Sequence, residues 1–220
     1  MVLFMRRWFA TVALSQIIVG TSSAQDSKAY AVLEGASENY SQVHTFCAQF
    51  TQVIEVTLLN QVRSGQGKMC QRQPNEFSMR FDEPAGDLIV VDGESVWTFY
   101  PSVDGQQVLR FLGLNSDNRF NFYKNLLTDS RSRFKAVYQG LEEIDAQQTH
   151  RIFMEPKEPQ GFRSVVVWID RVTELIVNLE VHDSNESIRK IRLTDIHLNM
   201  ELSDEEFRFI PPEGTRVIIR

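Results

Sequence analysis

The chain has 220 residues, 42% of them hydrophobic, and 29 acidic against 23 basic side chains for a formal net charge of -6. That length suits one domain with a sizeable core, and the acidic balance argues against nucleic acid or lasting adsorption to an anionic membrane. Two cysteines and the scattered His44, His150, His182 and His197 offer no metal-ligand spacing.

Arg6 and Arg7 open the chain as a short basic region, followed by an apolar run from Trp8 to Gly20 and the small residues Thr21-Ser22-Ser23-Ala24. This is the layout of a secretory signal peptide spanning residues 1–24, with cleavage expected after Ala24. The run is too short for a spanning helix, which needs roughly 20 apolar residues. No cysteine follows it, so a lipid-modified signal is not expected. The remainder, 25–220, reads as a single exported domain in an oxidising compartment, where Cys47 and Cys70 are expected to pair.

Along that domain, Asp26 to Val43 has helical periodicity through Ala29, Val32, Leu33, Ala36 and Tyr40. The period changes to two at Phe46. Strands are predicted from Phe46 to Leu59, Gly65 to Gln71, Glu76 to Phe81 and Asp87 to Val91. Asp92-Gly93 is the strongest hairpin signal, leading into Ser95 to Tyr100 and a short strand ending at Phe111. Asn118 to Thr128 reads as a second helix, with Phe120, Tyr123, Leu126 and Leu127 on one face. Five more strands follow, over Phe134–Gln139, Thr149–Glu155, Phe162–Ile169, Leu175–His182 and Ser187–Met200. In the last, Ile191 and Leu193 hold one parity, and Ile196, Leu198 and Met200 the other. Such a switch requires a bulge or sharp coil, which helps a sheet curve. If the first hairpin turns between Val56 and Asn60, Cys47 falls opposite Cys70 at the separation a disulfide needs.

There is no Gly-x-Ser-x-Gly elbow. Gly65-Gln66-Gly67 reads as a turn or bulge, Asp204-Glu205-Glu206 as a solvated turn, and Asn185-Glu186-Ser187 as a glycosylation triplet that matters only in a eukaryotic secretory host. No enzyme, cofactor or metal is expected. What is abundant is aromatic: 15 Phe, 3 Trp and 5 Tyr. These can form an ordinary core, or the wall of a curved sheet that encloses more volume than its own side chains fill.

Several segments in order carry a resemblance: Phe50-Thr51-Gln52, Gly65-Gln66-Gly67, Pro74-Asn75-Glu76-Phe77, Pro84, Val91-Asp92-Gly93, Val96 to Pro101, and Phe207 to Gly214 with its Pro-Pro-x-Gly ending. Together they resemble the periplasmic outer-membrane lipoprotein carrier, the LolA family. The resemblance implies a mainly β (α+β) fold, a strongly curved antiparallel sheet forming an incomplete barrel, with a helical lid over an apolar cavity. It implies a periplasmic, non-enzymatic chaperone without cofactor. Such a carrier takes acylated lipoproteins from an inner-membrane lipoprotein-releasing transporter to an outer-membrane lipoprotein receptor. A monomer is expected. A relative of the same fold that binds other lipids or senses envelope stress is the alternative.

Parity within the strands nominates Phe50, Leu88, Val90, Trp97, Phe99, Val167, Leu179 and Leu193 as cavity-facing, and Leu33, Phe120, Tyr123 and Leu127 as lid residues. The family carries an arginine directly before the Pro of its Pro-x-x-Phe segment, where it helps hold the lid. Here that position is Gln73, and Arg72 or Arg80 is nominated as the latch instead, although a one-residue shift moves Arg72 to the other face of a strand.

Overall fold

The computed structural model describes residues 21–112 and 122–220; the signal segment up to Gly20 and the lid candidate Phe120 lie outside the described residues. Helix α1 covers Thr21–Ser41, followed by β1 Thr45–Val56, β2 Gln61–Arg72, β3 Glu76–Glu83, β4 Leu88–Asp92 and β5 Ser95–Phe99. A short helix α2 (Pro101–Asp104) leads to β6 Gln107–Leu112, then α3 Phe122–Leu127 and α4 Ser130–Arg133. The chain continues through β7 Phe134–Ile144, β8 Gln147–Pro156, β9 Phe162–Asp170, β10 Ile176–Asp183, β11 Ser187–Leu198 and β12 Arg216–Ile219.

Among the described residues the strands form one 12-stranded sheet in the order β12-β6-β5-β4-β3-β2-β1-β11-β10-β9-β8-β7. It is curved and does not close, with β12 and β7 at its two edges. Every neighbouring pair is antiparallel except β12, which returns parallel to β6. That last strand, placed by the chain after Pro211-Pro212, has no counterpart in the sequence reading. No helix among the described residues is long and apolar enough to cross a membrane.

The phase switch in β11 is a bulge. Pairing jumps from Cys47↔His197 to Gln49↔Thr194, and Asp195 sits in the left-handed region at φ 48. The extra residue returns Ile196 and Leu198 to the face that Ile191 and Leu193 occupy, so all four pack on the same core. A second bulge explains an early stop in the reading of β7. Register shifts between Tyr138 and Gly140, Gly140 has φ 121, and the strand runs on to Ile144. The turn beyond is Asp145-Ala146, both with positive φ, a hairpin made without glycine. Gly67 is required by a third irregularity: a Cβ there would lie 2.0 Å from the Arg80 carbonyl oxygen, where β2 shifts register against β3.

The two faces of the sheet bury different clusters. On the inner face Phe46, Phe50, Met69, Phe77, Met79 and Phe81 join Val165, Val167, Ile169, Leu179 and Leu193. The outer face of β1–β6 is covered by the segment after β11. Leu202 and Phe207 lie over Cys47 and Cys70, and Phe209 packs on Leu88, Val90, Trp97, Phe99 and Val108. Polar contacts fasten this C-terminal strap. Arg72 pairs with Glu76 and Asp204 and donates to the Leu202 carbonyl, with its guanidinium 4.8 Å over the Phe207 ring. Glu206 accepts from Ser78 Oγ at 2.7 Å and Lys68 Nζ at 3.0 Å, and Arg80 donates to the carbonyls of Glu206 and Arg208.

Cys47 and Cys70 are direct cross-strand partners with Cα atoms 4.1 Å apart and form a disulfide. It links positions 23 apart across the β1–β2 hairpin, whose turn is a 3-10 segment at Thr57–Leu59 closed by left-handed Asn60. Replacing both cysteines with alanine is expected to cost roughly 3 kcal/mol, the constraint a loop of this size places on the unfolded chain, read as a lower urea midpoint. Wild-type protein treated with reductant after denaturation should refold to the same lower value.

The strap gives an acid-dependent term. Burial by itself would raise the Glu206 carboxyl, but the bonds from Ser78 and Lys68 and the nearby Arg80 outweigh it and hold the group below its ordinary range. A carboxyl depressed in the folded state stabilises above its unfolded pKa of about 4.3, and that stability is lost as pH falls through the folded value. Between roughly pH 6 and pH 3 the wild type should therefore lose more stability than Glu206→Gln, measured by denaturation with intrinsic Trp fluorescence.

Candidate functional site

The inner face is apolar but belongs to an unclosed sheet, so another layer must cover it. That layer is α1 with α3. Along α1 the buried residues Ala29, Leu33, Ala36 and Tyr40 follow each other by three or four positions and face the sheet. The two alanines allow close approach to the strands. From α3, Tyr123, Leu126 and Leu127 complete the cover. The Tyr40 and Tyr123 rings stack with centroids 3.9 Å apart, and Phe46 meets Tyr123 edge-on at 4.7 Å. Burial pushes both tyrosine hydroxyls well above their usual range, so both stay protonated.

The helix layer lies outside the ladder, and individual side-chain hydrogen bonds tie it to the sheet and its loops. The Tyr30 hydroxyl donates to the Phe134 carbonyl at 3.0 Å. Asn39 donates to the Thr173 carbonyl at 2.8 Å, and Tyr40 accepts from the Ile176 amide at 3.2 Å. Glu34 pairs with Arg131, with both side chains more than half exposed. Such an exposed pair contributes at most about 1 kcal/mol. At the C-terminal end, the Gln73 side chain donates to the Val43 carbonyl at 2.6 Å, and its backbone amide to His44 at 2.9 Å.

Two hollows flank the helices. A cavity of about 300 Å³ lies where the end of α1 meets α3 and β2, lined by the apolar Tyr40, Phe46 and Tyr123 and by the polar His44, Gln71 and Lys124. A more open hollow of about 670 Å³ lies between α1 and α4, bordered by Glu34, Glu38, Ser130 and Arg131. Among the described residues no group of three His, Cys, Asp or Glu side chains could hold a metal ion.

The nominated residues separate into two groups. Phe50, Val167, Leu179 and Leu193 lie on the inner face, in contact with the cluster that also holds Leu33, Tyr123 and Leu127. Leu88, Val90, Trp97 and Phe99 do not. They lie on the outer face under Phe209, and their strand neighbours Ile89, Val91 and Tyr100 pack on the inner cluster instead. In β4 both parities are apolar because both faces are covered, so alternation could not choose between them. The latch nominations are corrected in the same way. Arg72 and Arg80 share the outer parity with Cys70 and Ser78 and tie down the strap, and the helix end is held by Gln73. Sequence reasoning missed Tyr40 and Phe46 as the partners of Tyr123, and missed Gln71. The one available signal for Gln71 was its polar character within an apolar inward row.

The chain matches the family model for the outer membrane lipoprotein carrier protein LolA over residues 41–210. An outer-membrane lipoprotein carrier protein of Nitrosomonas europaea is 27% identical over 175 residues, covering 79% of this chain and 82% of that one. Its counterpart in Hahella chejuensis is 24% identical over 208 residues, covering 93% and 97%. Among solved structures, an uncharacterized conserved protein from Thermus thermophilus superposes with a TM-score of 0.57 at 12% identity, covering 88% of this chain and 99% of that one. Lipoprotein LppX of Mycobacterium tuberculosis superposes with 0.50 at 13% identity, covering 81% and 98%. These likenesses share the fold. With most of its length from α1's last turn through the strap matched, the chain belongs to the LolA family of outer membrane lipoprotein carrier proteins.

Proposed function

We propose that this protein is a periplasmic carrier that takes acylated lipoproteins from an inner-membrane lipoprotein-releasing transporter to an outer-membrane lipoprotein receptor. The acyl chains lie between the inner face of the sheet and the α1–α3 layer. The observation that carries this reading is the continuous apolar inner face of an unclosed sheet, covered by helices that share no ladder with it. In the closed form the inner side chains pack against α1 and α3, so cargo enters by displacing the helices, with acyl chains replacing helix side chains on Phe50, Val167, Leu179 and Leu193. Each methylene withdrawn from water contributes about 0.8 kcal/mol, so several acyl chains supply tens of kcal/mol. That offsets an opening that breaks hydrogen bonds such as those of Tyr30, Asn39 and Gln73. Loading and release are then two positions of one equilibrium, biased by cargo and by each membrane partner.

Purified protein added to spheroplasts should release lipoproteins into the soluble fraction in a one-to-one complex. Protein that releases none, and that carries no acyl chains when extracted from periplasm, would overturn the reading.

Gln73 should set how tightly the cover closes. Gln73→Leu removes the bond to the Val43 carbonyl and is expected to cost about 1 kcal/mol. It should also raise binding of an apolar fluorescent dye in the absence of cargo. A dye signal unchanged from wild type would show that Gln73 does not hold the helix end.

A further inference from the structure

The turn between β1 and β2 carries an apolar surface that neither the core nor the acyl berth uses. Leu58, Leu59 and Val62 are 73%, 63% and 70% exposed, and among the described residues no other run of five exposes as many large apolar side chains. The turn projects beyond its neighbours. Pairing of β2 with β3 begins only at Gln66, so Gln61 to Gly65 have no β3 partner on that side. Local bonds hold the turn in shape: the Asn60 amide donates to the Thr57 carbonyl, and the Thr57 hydroxyl donates to the Glu186 carbonyl at 2.8 Å. Three large apolar side chains fixed in water at one point add nothing to the core and mark a contact surface.

The charges behind the tip are arranged for the same contact. Arg63 and Arg189 flank Ile54 in one transverse row on the inner face of the sheet, and that row continues through Val181, Val165 and Met154. Arg189 pairs with Asp183, Lys190 with Glu55 and Arg163 with Glu186. Arg63 is exposed and makes no hydrogen bond or ion pair among the described residues. The carboxylate of Glu83 lies further back, where β3 meets Gln66. Although the chain as a whole carries a net charge of -6, this end therefore has its nearest acids matched and one cation to spare.

We infer that the β1–β2 turn is a membrane-docking tip: Leu58, Leu59 and Val62 enter the outer hydrocarbon of a phospholipid bilayer, and Arg63 reaches a headgroup phosphate. A bilayer accepts an apolar point of any shape, with basic side chains at the headgroup level behind it. The spare cation supplies the charge complementarity to phosphate, and the acidic remainder of the protein keeps the contact brief. A bilayer touched in this way lies at the end of the inner face that Arg63 and Arg189 border. The contact does not depend on the carrier reading.

Flotation of purified protein with vesicles tests this, using phosphatidylcholine alone and phosphatidylethanolamine mixed with phosphatidylglycerol. Wild-type protein should float with both. Leu58→Ser combined with Leu59→Ser should lower the partition coefficient at least about tenfold, the worth of one leucine withdrawn from water. Both side chains are exposed, so the melting temperature should not move. Val172→Ser, which removes an exposed valine from the β9–β10 turn at the opposite end of the sheet, should bind as wild type does. Arg63→Gln should weaken binding about fivefold on the phosphatidylglycerol vesicles and less on phosphatidylcholine. Leu59→Trp should still bind, and lipids brominated on their acyl chains should quench the introduced Trp; this readout stands if the serine variant proves unstable. The apolar run from Trp8 to Gly20 is common to every variant, so differences between them come from the tip. No flotation of the wild type, flotation unchanged by the paired serine substitutions, or an unquenched introduced Trp overturns the inference. Binding to membrane fragments but not to pure-lipid vesicles, lost with the same serines, overturns the lipid assignment and gives the tip to a membrane protein. Lipoprotein release from spheroplasts reads the carrier function separately, so either conclusion can fail alone.

Discussion

An antiparallel sheet that curves without closing leaves its concave side as an apolar surface that none of its own strands can cover. Here that surface runs from Phe77 and Met79 on β3 through Phe46 and Phe50 on β1 to Val165 and Val167 on β9. Leaving it in water would forfeit about 1.5–3 kcal/mol for each large side chain, so a cover is obligatory. The cover cannot be another strand, because pairing is available only at the edges β12 and β7. Helices fill the role, and their attachment to the sheet is mainly hydrophobic. Hydrophobic contact is non-directional, so another apolar group can take the place of a helix face without a specific geometry. This is the physical basis on which one surface can serve both as the core of an empty protein and as the berth of a lipid.

The convex side has been treated differently. Its cover, the strap from Leu202 to Phe209, is fastened by directional groups: Arg72, Ser78, Lys68 and Arg80 on the sheet, with Asp204, Glu206 and backbone carbonyls on the strap. Aromatic contacts of Phe209 with Trp97 and Phe99, near 5.9 and 5.8 Å, add to it. One face therefore has a cover held by shape-tolerant contacts and the other a cover held by specific ones. The outer fastening holds the sheet independently of the inner cover, as the proposed opening requires.

The order of helix and strands, the first hairpin with its disulfide and the irregularity in β11 were legible in the sequence, because each leaves a periodic or spacing signal. The inward row was legible only where the opposite face is wet. Phe50, Leu179 and Leu193 lie in strands with polar alternate residues, and parity placed them on the inner face. Leu88, Val90, Trp97 and Phe99 lie beneath the strap, where both parities are apolar, and parity misplaced them. The strap is the missing information: a segment more than a hundred residues downstream decides which side of β4 and β5 is outside. Its basic partners misled for the same reason, since Arg72 lies close to Pro74 and Arg80 within β3, and only the register shows which face they take. β12 was invisible because four residues after a proline pair carry too little pattern to distinguish a strand from a tail.

The position of the disulfide under the strap has a consequence for the order of assembly. Cys70 is wholly buried and Cys47 nearly so, with Phe207 packed on the bond. Thiol–disulfide exchange requires an attacking thiolate to reach a sulfur in line, and a docked Phe207 closes that approach. Oxidation therefore belongs to the interval before the C-terminal residues settle. On the proposed export route, a chain that emerges N-terminus first presents both cysteines before residue 207 arrives. Once the strap has docked it acts as a seal, and the bond exchanges with outside thiols only when Phe207 lifts.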